Sequence, residues 1–280
     1  MKQKLLFAIV VIALVTGCSA SLAQDSKQAK SYTKADFINI DGGSLNDRIE
    51  RAFKQFKGSN QGDSCWIAYH FPARAGSSYG PFTGMVYYDD GIRLERKDNA
   101  ADAAVFLLAD AGGSQAKVTR IKTLDLSEPY VFEKRPVYWL GNADAAQSLA
   151  FLEATMRGDK ENREIARGAL RAIAVHDNSR VVPLLKEVAS KETIADLQAS
   201  AVSNLSRVKT DQSVDALIDL YESLTTDSLK EEVIRGLGRT DNRKAADKLL
   251  AIAKSDPNPK LRQQAVRRLS QSKGEGMWFN

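Results

Sequence analysis

The stretches ADLQASAVSNLSRV (residues 195–208) and DSLKEEVIRGLGRT (residues 227–240) lie 32 positions apart and carry apolar side chains at matching places. Leu197, Ala201, Val202 and Leu205 correspond to Leu229, Val233, Ile234 and Leu237. That spacing puts each set on one stripe of an α-helix. The period continues in both directions: Ile165, Ala169, Leu170 and Ile173 precede by 32, and Leu261, Ala265, Val266 and Leu269 follow by 32. Helices before these contribute Val182, Leu185 and Val188, then Val214, Leu217 and Leu220, then Ala246, Leu249 and Ile252. Polar turns join the two helices of a unit: Asp177-Asn178-Ser179, Asp211-Gln212-Ser213 and Asp241-Asn242-Arg243. Neither helix of a unit can bury its stripe without the neighbouring unit. Residues 142–271 are therefore predicted to form an all-α solenoid of about four helix pairs.

The last unit runs from Ala245-Ala246-Asp247-Lys248-Leu249-Leu250 to Asp256-Pro257-Asn258-Pro259-Lys260-Leu261-Arg262-Gln263-Gln264-Ala265-Val266. It resembles HEAT-like repeats of the bacterial phycobilisome-lyase type. The resemblance covers about residues 142–271 and implies a right-handed α-solenoid whose usual role is protein binding. Trp66-Ile67-Ala68-Tyr69 and Pro136-Val137-Tyr138-Trp139-Leu140-Gly141 are similar to segments of exported bacterial HEAT-repeat proteins with no assigned activity. That second resemblance brings no catalytic residues with it.

Residues 37–140 read as a small α+β domain with an antiparallel sheet, so the fold class is α+β followed by an all-α HEAT-like solenoid. Ser44 and Asp47 form a capping-box-like start, after which Leu45, Ile49, Ala52, Phe53 and Phe56 share one helical face up to Gly58. Extended segments follow at Cys65–Phe71, Gly84–Tyr88, Ile92–Arg96, Ala104–Ala109, Lys117–Leu126 and Tyr130–Leu140, rich in Val, Ile, Tyr, Phe and Trp. The clearest hairpin turns at Asp89-Asp90-Gly91.

The start of the chain reads as an address. Lys2 and Lys4 precede an unbroken apolar run from Leu5 to Val15, which ends in Val15-Thr16-Gly17-Cys18. Residues 1–17 are an export signal, too short to span a bilayer. The ending resembles the lipobox of bacterial lipoproteins, which implies that Cys18 carries a diacylglyceryl group and starts the mature chain. Ser19 resembles the outer-membrane sorting pattern. The rival is ordinary secretion, because Ser21-Leu22-Ala23 also offers a small-x-small cleavage site, giving a soluble periplasmic or secreted protein. Residues 18–36, poor in apolar side chains, are then the lipid anchor and a flexible tether.

Composition narrows the function. The formal charge of +5 includes two lysines within residues 1–17, so the exported chain carries only +3, which disfavours nucleic-acid binding. Two His and two Cys cannot build a zinc site, and Cys65 has no internal disulfide partner once Cys18 is lipidated. No cofactor and no metal are expected. Cys65 and His70 are the nearest thiol and imidazole, but strand alternation places Cys65 with Ile67, Tyr69 and Phe71, and His70 on the opposite face with Trp66 and Ala68. His176 follows a repeat helix, where a cation complements the C-terminal dipole. Asp89-Asp90 reads as turn chemistry and Gly42-Gly43 as linker. Tyr79 and Phe82 tip the Gly- and Ser-rich loop over residues 74–82, a weak contact candidate. Met277-Trp278-Phe279, in the tail 272–280, reads as a hydrophobic cap over the last repeat or as a docking peptide.

One surface feature shares the 32-residue period. Arg171, Arg235 and Arg267 fall on one column of the second helices, with Ser203 at the missing rung, while Arg207 and Arg239 fall on the next column. On a helical wheel both columns face away from the core. Such a basic ladder fits an acidic segment of an envelope protein through bidentate Arg–carboxylate contacts. The predicted function is a non-enzymatic interaction scaffold that meets the membrane only through its anchor. The alternative is an enzyme, or a regulator of one, with a site around Trp66–Phe82.

Overall fold

The computed structural model describes residues 37–77, 86–87, 93–94, 102–112, 117–125, 135–158 and 162–272. Helix α1 (Leu45–Gly58) begins at a complete capping box: Ser44 Oγ accepts from the Asp47 amide at 3.2 Å, and the Asp47 carboxylate accepts from the Ser44 amide at 3.0 Å. Just before it Gly42 and Gly43 have φ of +75° and +80°, conformations that L side chains rarely adopt. These glycines make the tight entry into α1, and the Gly42 carbonyl accepts from Arg51. The buried face of α1 is Leu45, Ile49, Ala52, Phe53 and Phe56, the stripe read from the sequence.

Five strands form one sheet in the order β1 (Ile38–Asn39), β7 (Val137–Asn142), β2 (Ser64–Pro72), β5 (Asp102–Asp110), β6 (Lys117–Asp125). β2 pairs antiparallel with β5, and β5 with β6, but β7 lies parallel to both β1 and β2. The sheet is therefore mixed, not antiparallel throughout as the sequence suggested. Its cause is the crossover from β1 through α1 to β2, which leaves one strand position open between them. β7 fills that slot from much later in the chain. The expected hairpin is present as β3 (Val86–Tyr87) against β4 (Arg93–Leu94), with Val86 opposite Leu94. Its turn lies outside the described residues.

Alternation along β2 sorts the two faces as read. Cys65, Ile67, Tyr69 and Phe71 join the main core with Val105, Leu107, Tyr138 and Leu140, under the helices. Trp66 and Ala68 join a second cluster with Phe37, Phe106 and Trp139 on the other face.

Among the described residues eight further helices follow: α2 (Ala145–Gly158), α3 (Arg163–Val175), α4 (Val181–Lys191), α5 (Ala195–Val208), α6 (Asp211–Ser223), α7 (Asp227–Leu237), α8 (Arg243–Ser255) and α9 (Pro259–Ser272). They pack as α2 on α3, α4 on α5, α6 on α7 and α8 on α9, so the polar segments Asp177-Asn178-Ser179, Asp211-Gln212-Ser213 and Asp241-Asn242-Arg243 fall at the junctions between one helix pair and the next, not between the two helices of a pair as the sequence suggested. The second helices α3, α5, α7 and α9 stack in one row, and α4, α6 and α8 in another. This is a HEAT-like solenoid following an α+β region. Leu197, Leu205, Leu229, Leu237, Val202 and Ile234 are all buried, as the columns require. The departures lie in the final pair, where Val266 is 54% exposed and Ala246 and Leu269 are partly exposed. A column side chain is covered by the following repeat, and α9 is the last helix described. Polar side chains bridge successive turns: Asn242 Nδ2 donates to Asp211 at 2.8 Å, and Asn258 Nδ2 to Asp227 at 2.7 Å.

The sheet and the solenoid share one continuous core. α3 lies against β6 so closely that a Cβ on Gly168 would come within 3.0 Å of Ile121 Cβ and 3.1 Å of its carbonyl oxygen. Ala73 bridges to His176, and the Arg74 amide donates to the Val175 carbonyl at 2.9 Å. The Arg74 guanidinium donates to the Ala174 and His176 carbonyls at 2.8 and 3.3 Å. The continuation of β2 thus caps the C-terminus of α3, satisfying carbonyls that a helix end leaves open.

Candidate functional site

The second-helix row brings the columned arginines into mutual range. Arg207, half-buried on α5, has its pKa held below the ordinary arginine range by burial and by the cations Arg171 and Arg239, while Glu232 acts the other way. Arg239, just beyond α7, reaches back 36 residues to donate to Ser203 Oγ at 3.3 Å, so the rung that lacks an arginine is bridged by its neighbour. Close helix approach makes this possible. A Cβ on Gly236 would sit 3.2 Å from Ser206 Cβ, so the small residues at this crossing let α5 and α7 meet.

Two members of the cluster escaped the sequence reading. Glu232, on α7, is buried with its side chain 12% exposed. Arg235 Nε donates to Glu232 Oε2 at 2.9 Å, its Nη2 reaches the same oxygen, and Arg239 Nη1 stands 3.9 Å from Oε1. Arg268, on α9, lies with its stem across Gly238, where a Cβ would meet Arg268 Cβ at 2.8 Å. Burial and the cations Arg267, Arg239 and Arg235 lower the Arg268 pKa, again opposed by Glu232. The missing side chain at Gly238 is the sequence signal that marks this contact, legible only once the helices are stacked. The fork of Arg235, expected to face a partner, is engaged within the chain.

Among the described residues, the thiol of the first region is not accessible. Cys65 is fully buried, and burial pushes its thiol up to about 12, so it stays protonated. His70 lies on the opposite face, its ring stacked on Trp139 at 5.4 Å. A serine–histidine pair that alternation did not suggest is present elsewhere: Ser148 Oγ donates to His176 Nε2 at 2.8 Å, while His176 Nδ1 donates to the Ala172 carbonyl at 2.9 Å. The Ser148 hydroxyl also shares a 3.0 Å hydrogen bond with the Tyr69 hydroxyl. Nucleophile-and-base connectivity exists, but Ser148, His176 and Tyr69 all have 0% exposure, so no substrate reaches them. The reading of His176 as a helix-end cation is corrected. It is stacked on Phe71 at 3.6 Å and its pKa falls to about 4 through burial, aided by the Arg74 charge, so it is neutral. Arg74 supplies the cation at that helix end instead.

Cys18, Tyr79, Phe82, Asp89, Asp90 and Met277-Trp278-Phe279 lie outside the described residues, as do residues 1–36. Within Trp66–Phe82 the described part is strand β2 and its continuation into the α3 cap.

What these observations define is a HEAT-like helical repeat stack built onto a mixed-sheet region. Residues 214–276 match the family described as HEAT repeats. Among solved structures, the complex of CpcE and CpcF of phycocyanin lyase from Nostoc sp. PCC7120 contains a similar chain, with 15% identity and a TM-score of 0.33 over 44% of this chain and 87% of that one. No curated protein matches the sequence.

Proposed function

We propose that this protein is a non-enzymatic, lipid-anchored scaffold of the cell envelope that holds an acidic segment of a partner protein on its second-helix row. The observation that carries the reading is the convergence of Arg171, Arg207, Arg239 and Arg267, from four successive repeats, on one side of the stack. HEAT repeats commonly serve protein binding, and the sealed Ser148–His176 pair gives no competing chemistry. Lys2, Lys4, the apolar run to Val15 and Cys18 support the address.

Capture from envelope extracts tests the surface. Changing Arg235, Arg239 and Arg267 together to Gln should abolish recovery of the partner while leaving the fold intact, since a glutamine at 235 can still donate to Glu232. Changing the exposed Lys54, Lys117 and Lys254 to Gln removes the same charge elsewhere and should leave recovery unaltered. Equal recovery with both variants would remove the arginine face from the function. For the anchor, Cys18→Ala should lose metabolic fatty-acid labelling and leave a soluble or unprocessed protein. Labelling that survives the change would reject lipidation at Cys18.

A further inference from the structure

Glu232 occupies an unusual place for a carboxylate. It acts on Arg207 of α5 and Arg268 of α9 at once, is held by Arg235 of its own helix, and stands 3.9 Å from Arg239. Five further features of charge and packing bear on this. Arg171 and Arg267 extend the cluster at either end. Arg207 and Arg268 are each weakened as acceptors of a proton by burial and by neighbouring cations, so folding brings these guanidiniums together against their repulsion. Arg268 Nε is buried without an acceptor. Arg235 and Arg239 keep side-chain exposures of 36% and 43%, so an anion arriving from solvent can reach them. Arg235 meets one oxygen of Glu232 with two of its nitrogens while Arg239 stands near the other oxygen, so a single carboxylate already draws two guanidiniums together.

We propose that Glu232 is the built-in occupant of a carboxylate-binding site formed by Arg207, Arg235, Arg239 and Arg268, and that its charge limits how tightly an acidic peptide segment docks there. This deepens the scaffold reading and rests on it for the partner's identity, but the site itself can be tested with a synthetic ligand. Incoming Asp or Glu side chains add to the guanidiniums that Glu232 only partly neutralises. A glutamine at 232 keeps an oxygen acceptor for Arg235 while removing the negative charge, so the potential offered to the peptide rises.

Fluorescence anisotropy of labelled hexaglutamate titrated with the full-length chain decides the matter. Glu232→Gln should bind about three- to tenfold tighter than wild type at low salt, with the gain shrinking as ionic strength rises. Glu231→Gln, the same charge change one residue away on α7, should alter affinity by less than about twofold. Arg239→Gln combined with Arg268→Gln should weaken binding by about tenfold or more, and leaves the Glu232–Arg235 pair in place, so it remains informative should Glu232→Gln fail to fold. The proposal is overturned if Glu232→Gln melts like wild type and binds no tighter, or if the double arginine variant binds hexaglutamate as wild type does. Binding to phosphatidylglycerol vesicles without binding to hexaglutamate would also overturn it, by making the ligand a lipid surface. Loss of the envelope partner in every capture, with the Glu232 dependence intact, would support this site while removing the scaffold reading. Capture of a partner with no Glu232 dependence would do the reverse.

Discussion

Leu205→Ala and Leu237→Ala should each lower the free energy of unfolding by about 2–5 kcal/mol, from lost transfer free energy plus the cavity left behind. Both side chains are completely buried, between rows of helices that cannot collapse inward without breaking the contacts of α5 and α7. Leu269 stands in the same column, 32 residues on, yet lies half-buried on α9. Leu269→Ala should therefore cost distinctly less than either. Val266→Ala, at a column position that is 54% exposed, should stay within about 0.5 kcal/mol of wild type. Urea denaturation of the four variants measures all of this. A cost at Leu269 equal to that at Leu205 would mean that a further element covers α9 as α7 covers α5.

The second large effect is expected in acid. His176 has a folded-state pKa near 4 against an ordinary value of 6.5, so between those values the unfolded chain binds a proton that the folded chain refuses. Stability contributed by the neutral ring is present above about pH 6.5, declines as pH falls, and is gone once pH passes below about 4. The full difference amounts to at most about 3 kcal/mol, at 1.36 kcal/mol per unit. Its cause is local. A proton on Nε2 displaces the hydrogen bond received from Ser148 and places a charge beside Arg74 in a site closed to water. The Tyr69 hydroxyl, pushed up by burial, does not titrate in that window to compensate. Urea midpoints at pH 7.5 and pH 5 should separate for wild type and draw together for His176→Leu, which is less stable at neutral pH but lacks the proton. Equal separation in both proteins would assign the acid sensitivity to other groups.

These two sites differ in how they could be found. Leu205 belongs to a periodic stripe, and a stripe is a local property: the helix repeat alone places its members on one side. The same holds for the face of α1 with Ile49 and Phe56, for the capping pair Ser44 and Asp47, and for the split of Cys65 from His70 along β2. The 32-residue spacing of the units follows too, because a repeat states its own period. The arginine columns were legible for that reason, down to the empty rung at Ser203 that Arg239 bridges.

What only the tertiary structure decided are the contacts between residues far apart in the chain. Alternation marks a strand but carries no information on its partner's direction, so the slot that β7 fills between β1 and β2 was not visible. His176 looked like a helix-end cation, and became a neutral buried ring because β2 continues across that end and brings Arg74 and Phe71 with it. Glu232 and Arg268 carry no periodic signal. They join Arg207 and Arg235 because Gly236 and Gly238 let neighbouring helices approach until an added Cβ would stand 3.2 Å from Ser206 Cβ and 2.8 Å from Arg268 Cβ. Period and propensity act over a few residues, whereas burial, and the electrostatics that follow from it, depend on which surfaces meet.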